Sequence, residues 1–129
     1  MTAQTPAEEV RAVVEDYLDA FYDGDGAEMA RLMRPDFDLI GIRGGRVDRV
    51  GAADFARALG ERPSLRSAGC PREDDWVDLR VDAPTVAHAV VRNRAGDLRY
   101  TDVLTLLLDD DRWRIVSKVW SVEPAAAEA

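Results

Sequence analysis

The sequence predicts an α+β fold, with helices packed on one face of a curved antiparallel sheet. Two observations carry this. Up to Pro35 the apolar residues recur at helical spacing, whereas from Phe37 onward the dominant period is two. From Asp75 the chain then reads as four long strands joined by very short turns, the signature of a meander rather than of alternating β-α units. The 129 residues, 47% of them hydrophobic, suit one domain over 1–129 with its own core, an ordered part of about 6–123 and a flexible tail at 124–129.

The first helix starts at Thr5-Pro6-Ala7-Glu8, a capping box with proline at the first helical position. Val10, Val13, Val14, Tyr17, Leu18 and Phe21 form its apolar stripe, and Gly24 ends it. Asp25-Gly26-Ala27-Glu28 begins a second, short helix carrying Met29, Leu32 and Met33, which Pro35 is expected to terminate. Phe37 to Arg43 and Arg46 to Val50 read as a hairpin around Gly44-Gly45, and Ala52 to Leu59 as a third short helix followed by a loop over Glu61 to Arg72. Strands follow at about Asp75 to Val81, Thr85 to Arg94, Leu98 to Leu108 and Trp113 to Val122. Two of them, over Thr85 to Val91 and Val103 to Leu108, are apolar on both faces, and one helical layer covers only one face. A second copy of the chain against the outer face, giving a two-fold homodimer, is the expected cover.

Charge and cysteine usage narrow the function classes. With 25 acidic against 17 basic residues the net charge is −8, and the basic residues are scattered, so a nucleic-acid partner is not expected. The longest apolar stretches, such as Leu106-Leu107-Leu108, fall far short of a bilayer span, so no membrane partner is expected either. The single cysteine, Cys70, and a start without a basic or apolar leader point to the cytoplasm. One lysine beside many Arg, Ala, Asp and Gly is a bias typical of GC-rich bacterial coding sequence. There is no phosphate-binding glycine loop, nucleophile elbow or Cys/His metal spacing, so no cofactor and no metal are expected.

The runs Ala12-Val13-Val14-Glu15-Asp16-Tyr17, Tyr22-Asp23-Gly24-Asp25, Arg34-Pro35-Asp36-Phe37, Gly44-Gly45-Arg46 and Trp113-Arg114-Ile115-Val116-Ser117-Lys118-Val119-Trp120 resemble the nuclear transport factor 2-like superfamily over roughly residues 8 to 122. The nearest branch is the lumazine-binding, SnoaL-like one, with ketosteroid isomerase more distant. The resemblance implies a cystatin-like conical half-barrel, three helices on a curved, mostly antiparallel sheet around one pocket for a small-molecule ligand. It leaves activity open, because members isomerise, dehydrate, cyclise, hydrolyse or only bind.

Two residues stand out on chemical grounds. Tyr17 lies in the middle of an apolar stripe, and Asp102 interrupts one of the most apolar strands, so each needs a partner for its polar atoms. Laid against ketosteroid isomerase, they fall on the phenol and the protonated acid of its oxyanion hole, which makes them the candidate catalytic pair. The resemblance places that enzyme's general base on Gly41, which has no side chain, while nearby Asp38 has the opposite strand parity. His88 is the one histidine available as a substitute base, against a structural or surface-facing role.

The register of the last hairpin decides what shares a face with Asp102. A two-residue loop at Asp110-Asp111 places Trp113, Ile115, Ser117 and Val119 there; a three-residue loop substitutes Arg114, Val116, Lys118 and Trp120, and the resemblance favours the second. Candidate ligand contacts are Trp120, Lys118, Phe55, Leu104 and Arg43, the last at a hairpin tip where it either forms part of a solvated rim or, at a pocket mouth, selects an anionic substrate. The functional alternatives are a cofactor-free isomerase, dehydratase or cyclase acting on an apolar, ring-sized molecule, and a non-catalytic binding or accessory dimer that lacks the base.

Overall fold

The computed structural model describes residues 4–125. Helix α1 (Pro6–Asp23) is capped as its sequence predicts: Glu8 N donates to Thr5 Oγ1 at 3.1 Å and Thr5 N donates to Glu8 Oε1 at 3.3 Å. Gly24 closes it in the left-handed conformation at φ 66°, which a glycine adopts without steric cost. Helix α2 (Gly26–Leu32) is capped by Asp25, whose carboxylate accepts from Glu28 N at 3.0 Å. It lies tight against α3 (Ala52–Glu61), because a Cβ at Gly26 would stand 2.4 Å from the Ala56 carbonyl oxygen.

The boundary after α2 differs from the sequence expectation. Met33 opens strand β1 (Met33–Arg43), and Pro35 sits inside that strand instead of ending the helix. It is accommodated because pairing with the neighbouring strand breaks register between Met33 and Asp38, so no ladder hydrogen bond from residue 35 is required.

The remaining strands are β2 (Arg46–Gly51), β3 (Asp74–Ala83), β4 (Val86–Ala95), β5 (Leu98–Asp109) and β6 (Arg112–Pro124). They form one sheet in the order β2-β1-β6-β5-β4-β3, antiparallel except for the β1–β6 pair, which is parallel. Three helices cover its inner face, where Val10, Val14, Tyr17 and Phe21 of α1 meet Ala87, Ala89, Val91, Leu104, Leu106 and Ile115 in one continuous core.

The last hairpin combines the two registers. Asp110 and Asp111 form a two-residue turn with φ 50° and 58°, so Leu108 faces Trp113 and Leu106 faces Ile115. The next pair is Thr105 with Ser117, leaving Val116 as an extra residue in β6. This bulge moves the pairing by one, and beyond it Leu104 faces Lys118 and Asp102 faces Trp120. Trp113 and Ile115 before the bulge, and Lys118 and Trp120 after it, thus all point inward.

On the outer face a row of apolar residues crosses the sheet in register, Val90, Val103, Val119 and Ile40. Val103 and Val119 are 40% and 50% exposed. His88 lies on this face, paired through Nδ1 with Asp82 at 2.7 Å and through Nε2 with Asp78 at 3.0 Å. Asp38 is also outside, in a bidentate pair with Arg49. At the C-terminal end of the sheet Pro124 ends β6 and Ala125 N donates to the Asp97 carbonyl at 2.8 Å. Residues 126–129 of the expected flexible tail lie outside the described residues, as do 1–3.

Candidate functional site

Asp102 is fully buried, and three donors from three elements converge on one of its oxygens. The Tyr17 hydroxyl donates to Oδ2 at 2.8 Å, Asn93 Nδ2 donates to the same atom at 2.9 Å, and Lys118 Nζ stands 3.6 Å away. Strand geometry explains the cluster. Val91 and Trp120 flank Asp102 directly in the sheet, so Asn93 and Lys118 are its diagonal neighbours on the inner face, and α1 lays Tyr17 over them. Asp102 Oδ1 and Asn93 Oδ1 have no hydrogen-bond partner among the described residues.

Lys118 is only 4% exposed and its ammonium lies over three rings, 5.2 Å from the centroid of Tyr17 and 5.1 Å from those of Phe21 and Phe55. Such faces attract a cation, with an energy of about 2 kcal/mol when desolvated. Burial nevertheless pushes the lysine below its ordinary range, partly offset by Asp102. The Tyr17 phenol is pushed well above its ordinary range by burial and then by the adjacent Asp102 carboxylate, so it stays protonated and donates.

A cavity of about 70 Å³ opens beside this cluster. Its walls are the rings of Phe21, Phe55, Tyr100 and Trp120 with Leu39, and its cations are Lys118, Arg43 and Arg62. The Arg43 guanidinium lies 5.0 Å over the Trp120 ring and that of Arg62 5.4 Å over Phe21. Among the described residues no carboxylate lines it. Of the buried polar cluster only Lys118 reaches the cavity wall; Tyr17, Asn93 and Asp102 stand behind it.

The structure therefore brings Tyr17, Asp102 and Lys118 into one cluster, and Lys118, Trp120, Phe55 and Arg43 around one cavity. Leu104 is fully buried opposite Lys118 and does not line the cavity. His88 is remote from the cluster, on the opposite face of the sheet. Gly41 is closed off rather than open: a Cβ there would come within 2.1 Å of the Trp120 ring. The indole thus occupies the space that a side chain at 41 would need.

Five participants, Asn93, Arg62, Tyr100, Phe21 and Leu39, were not singled out as site residues from the sequence. Asn93 shares strand parity with Val91, which would have marked it once the β4–β5 register was fixed. Tyr100 shares strand parity with Asp102 two residues on, whereas Arg62 carries no local signal, because a loop residue acquires meaning only when the cavity closes around it. A second, wider groove of about 220 Å³ runs between α1, α2 and the β5–β6 turn. Its walls mix Glu9, Asp16 and Asp111 with Arg31 and Arg112, and Arg31 is already paired with Glu28, so it offers no converging charge.

The three helices and the order of the six-stranded sheet define a nuclear transport factor 2-like fold. A family profile described as "Putative lumazine-binding" matches residues 5–121, and the chain belongs to that family. Among solved structures it is similar to a nuclear transport factor 2-like protein of unknown function from Silicibacter pomeroyi DSS-3, with 25% identity and a TM-score of 0.79 over 89% of this chain and 93% of that one. A cystatin-like fold protein from Burkholderia xenovorans LB400 matches at 18% identity and TM-score 0.69, covering 92% of each chain. A ketosteroid isomerase-like protein from Erwinia carotovora atroseptica SCRI1043 matches at 13% identity and TM-score 0.71, over 93% of this chain and 98% of that one. No curated protein sequence matches. Among the described residues no helix is long and apolar enough to cross a membrane.

Proposed function

We propose that the chain is a small-molecule-binding protein whose pocket takes the head of a compact, planar organic acid. The observation that carries this reading is the charge of the lining: in a protein of net charge −8, one cavity has three cations, four aromatic faces and, among the described residues, no carboxylate. Aromatic walls favour a flat ligand and the cations select its anionic group. The volume is below the roughly 150 Å³ of a cavity that encloses benzene, so the ligand sits partly in the mouth beside Arg43 and Arg62. Titration with benzoate, and with lumazine for which the family is named, followed through tryptophan emission, tests this. Saturable binding, weakened tenfold or more by Arg62→Ala or Lys118→Met and absent for benzamide, is expected. Equal binding of benzamide and benzoate would overturn the reading.

A second reading, a cofactor-free isomerase, dehydratase or cyclase using Tyr17 and Asp102, is supported by their 2.8 Å hydrogen bond. The binding reading is preferred because Lys118 stands between that pair and the cavity, and because Trp120 fills the space at Gly41.

The apolar row on the outer face supports a homodimer. Asp78 is in register beyond one end of it and Arg49 beyond the other, so a two-fold pairing sets opposite charges against each other. Sedimentation should show a dimer that Val119→Glu converts to monomer; a monomeric wild type would refute it. The single cysteine suits a reducing, cytoplasmic setting.

A further inference from the structure

Lys118 is the chain's sole lysine; the other sixteen basic residues are arginine. Among the described residues those arginines serve the exposed ion pairs from Arg11–Glu15 to Arg114–Asp109, apart from the two made by His88. The one side-chain primary amine is instead 4% exposed, at the wall of the cavity lined by Arg43 and Arg62. A guanidinium would supply positive charge there just as well, but it stays protonated and cannot act as a nucleophile; an amine can. Nor is the amine spent on a tight ion pair, since 3.6 Å to Asp102 Oδ2 is longer than an ordinary N–H···O bond.

We propose that Lys118 captures carbonyl compounds, condensing with the aldehyde or ketone carbon of a small oxo acid whose carboxylate sits between Arg43 and Arg62. The inference rests on the anion-binding reading of the pocket and names the substrate class within it. Burial and the nearby Arg62 charge both favour the neutral amine, the form that attacks.

Asp102 can carry the proton in both directions. The Lys118 ammonium gives one proton to the Asp102 carboxylate, and the free amine adds to the carbonyl carbon as the C=O π pair moves to oxygen. A proton moves from nitrogen to that oxygen, giving a carbinolamine. Protonated Asp102 then returns its proton to the Lys118 nitrogen beside it, from which it passes to the hydroxyl; the hydroxyl leaves as water while the nitrogen lone pair forms C=N. The sum is ammonium plus carbonyl giving iminium plus water, with charge and protons conserved and no redox partner needed. Tyr17 and Asn93, both donating to Oδ2, hold the carboxylate in place for the two transfers.

The test uses the wild-type protein with 2-formylbenzoate or pyruvate and borohydride, followed by intact mass and peptide mapping. A single reduced adduct at Lys118 is expected, blocked by excess benzoate and formed at least tenfold more slowly with benzaldehyde, which lacks the carboxylate. Lys118→Arg should lose the adduct. Modification confined to the terminal α-amine, or at Lys118 at the rate of free lysine and indifferent to benzoate, overturns the proposal. If benzoate still changes tryptophan emission in that case, the binding reading survives; if it does not, both readings fall.

Discussion

Replacing Gly41 by alanine separates a packing reading from a conformational one. Gly41 lies in the β1 strand without a positive φ, so alanine meets no backbone strain there and, by restricting the unfolded chain, should stabilise by about 0.4–1 kcal/mol. Against this, the added Cβ would lie 2.1, 2.3 and 2.6 Å from three atoms of the Trp120 ring. Ordinary carbon contacts are about 3.5–4 Å, so the indole must move by more than about 1 Å, and it is wedged between Tyr100, 6.0 Å away, and the Arg43 guanidinium. Overpacking on this scale costs about 1–3 kcal/mol. Denaturant unfolding of Gly41→Ala, Trp120→Ala and the double variant measures it. Gly41→Ala should lose stability and shift the emission of Trp120. Trp120→Ala should lose about 3–5 kcal/mol, and alanine at 41 should then cost nothing further. A neutral or stabilised Gly41→Ala with unchanged emission would show that the indole does not cover this position, reopening it to a catalytic side chain.

Other outcomes follow from the buried cluster and the outer face. Tyr17→Phe removes one donor from Asp102 while leaving the ring in place, and should cost about 1–3 kcal/mol in a urea melt. Lys118 is held below its unfolded value near 10.5, so between the two values the unfolded chain binds more protons and stability rises with pH; Lys118→Met should remove that rise in the difference between the two pH profiles. His88 behaves oppositely. Its hydrogen bonds to Asp78 and then Asp82 raise it above 6.5, so its contribution is complete below that pH and is lost as pH climbs through the raised value. His88→Gln should flatten that part of the thermal-melt profile, and an unchanged profile would refute the assignment. Asp25→Ala should cost about 1 kcal/mol through loss of the α2 cap, read by the same melts.

Much of the fold is legible in the sequence because its determinants are local. The capping boxes, Gly24 and the change of period act within a few residues, and each gives the observed element. Pro35 misleads because a break in the β1–β6 register tolerates it, and that register depends on a strand about eighty residues away. Tyr17 and Asp102 betray themselves as polar atoms where the pattern calls for hydrocarbon. Their relation to Lys118 is not readable locally, since loop length alone gives two answers and an unpaired Val116 selects both in turn. Arg62 matters only through convergence in space.

That unpaired Val116 makes the cavity and the outer apolar row two phases of a single strand. Were β6 to run on from Ile115 in plain alternation with Val116 paired, Val119 would turn to the interior and Lys118 and Trp120 out to solvent, exchanging the contents of the two faces without altering a side chain's chemistry.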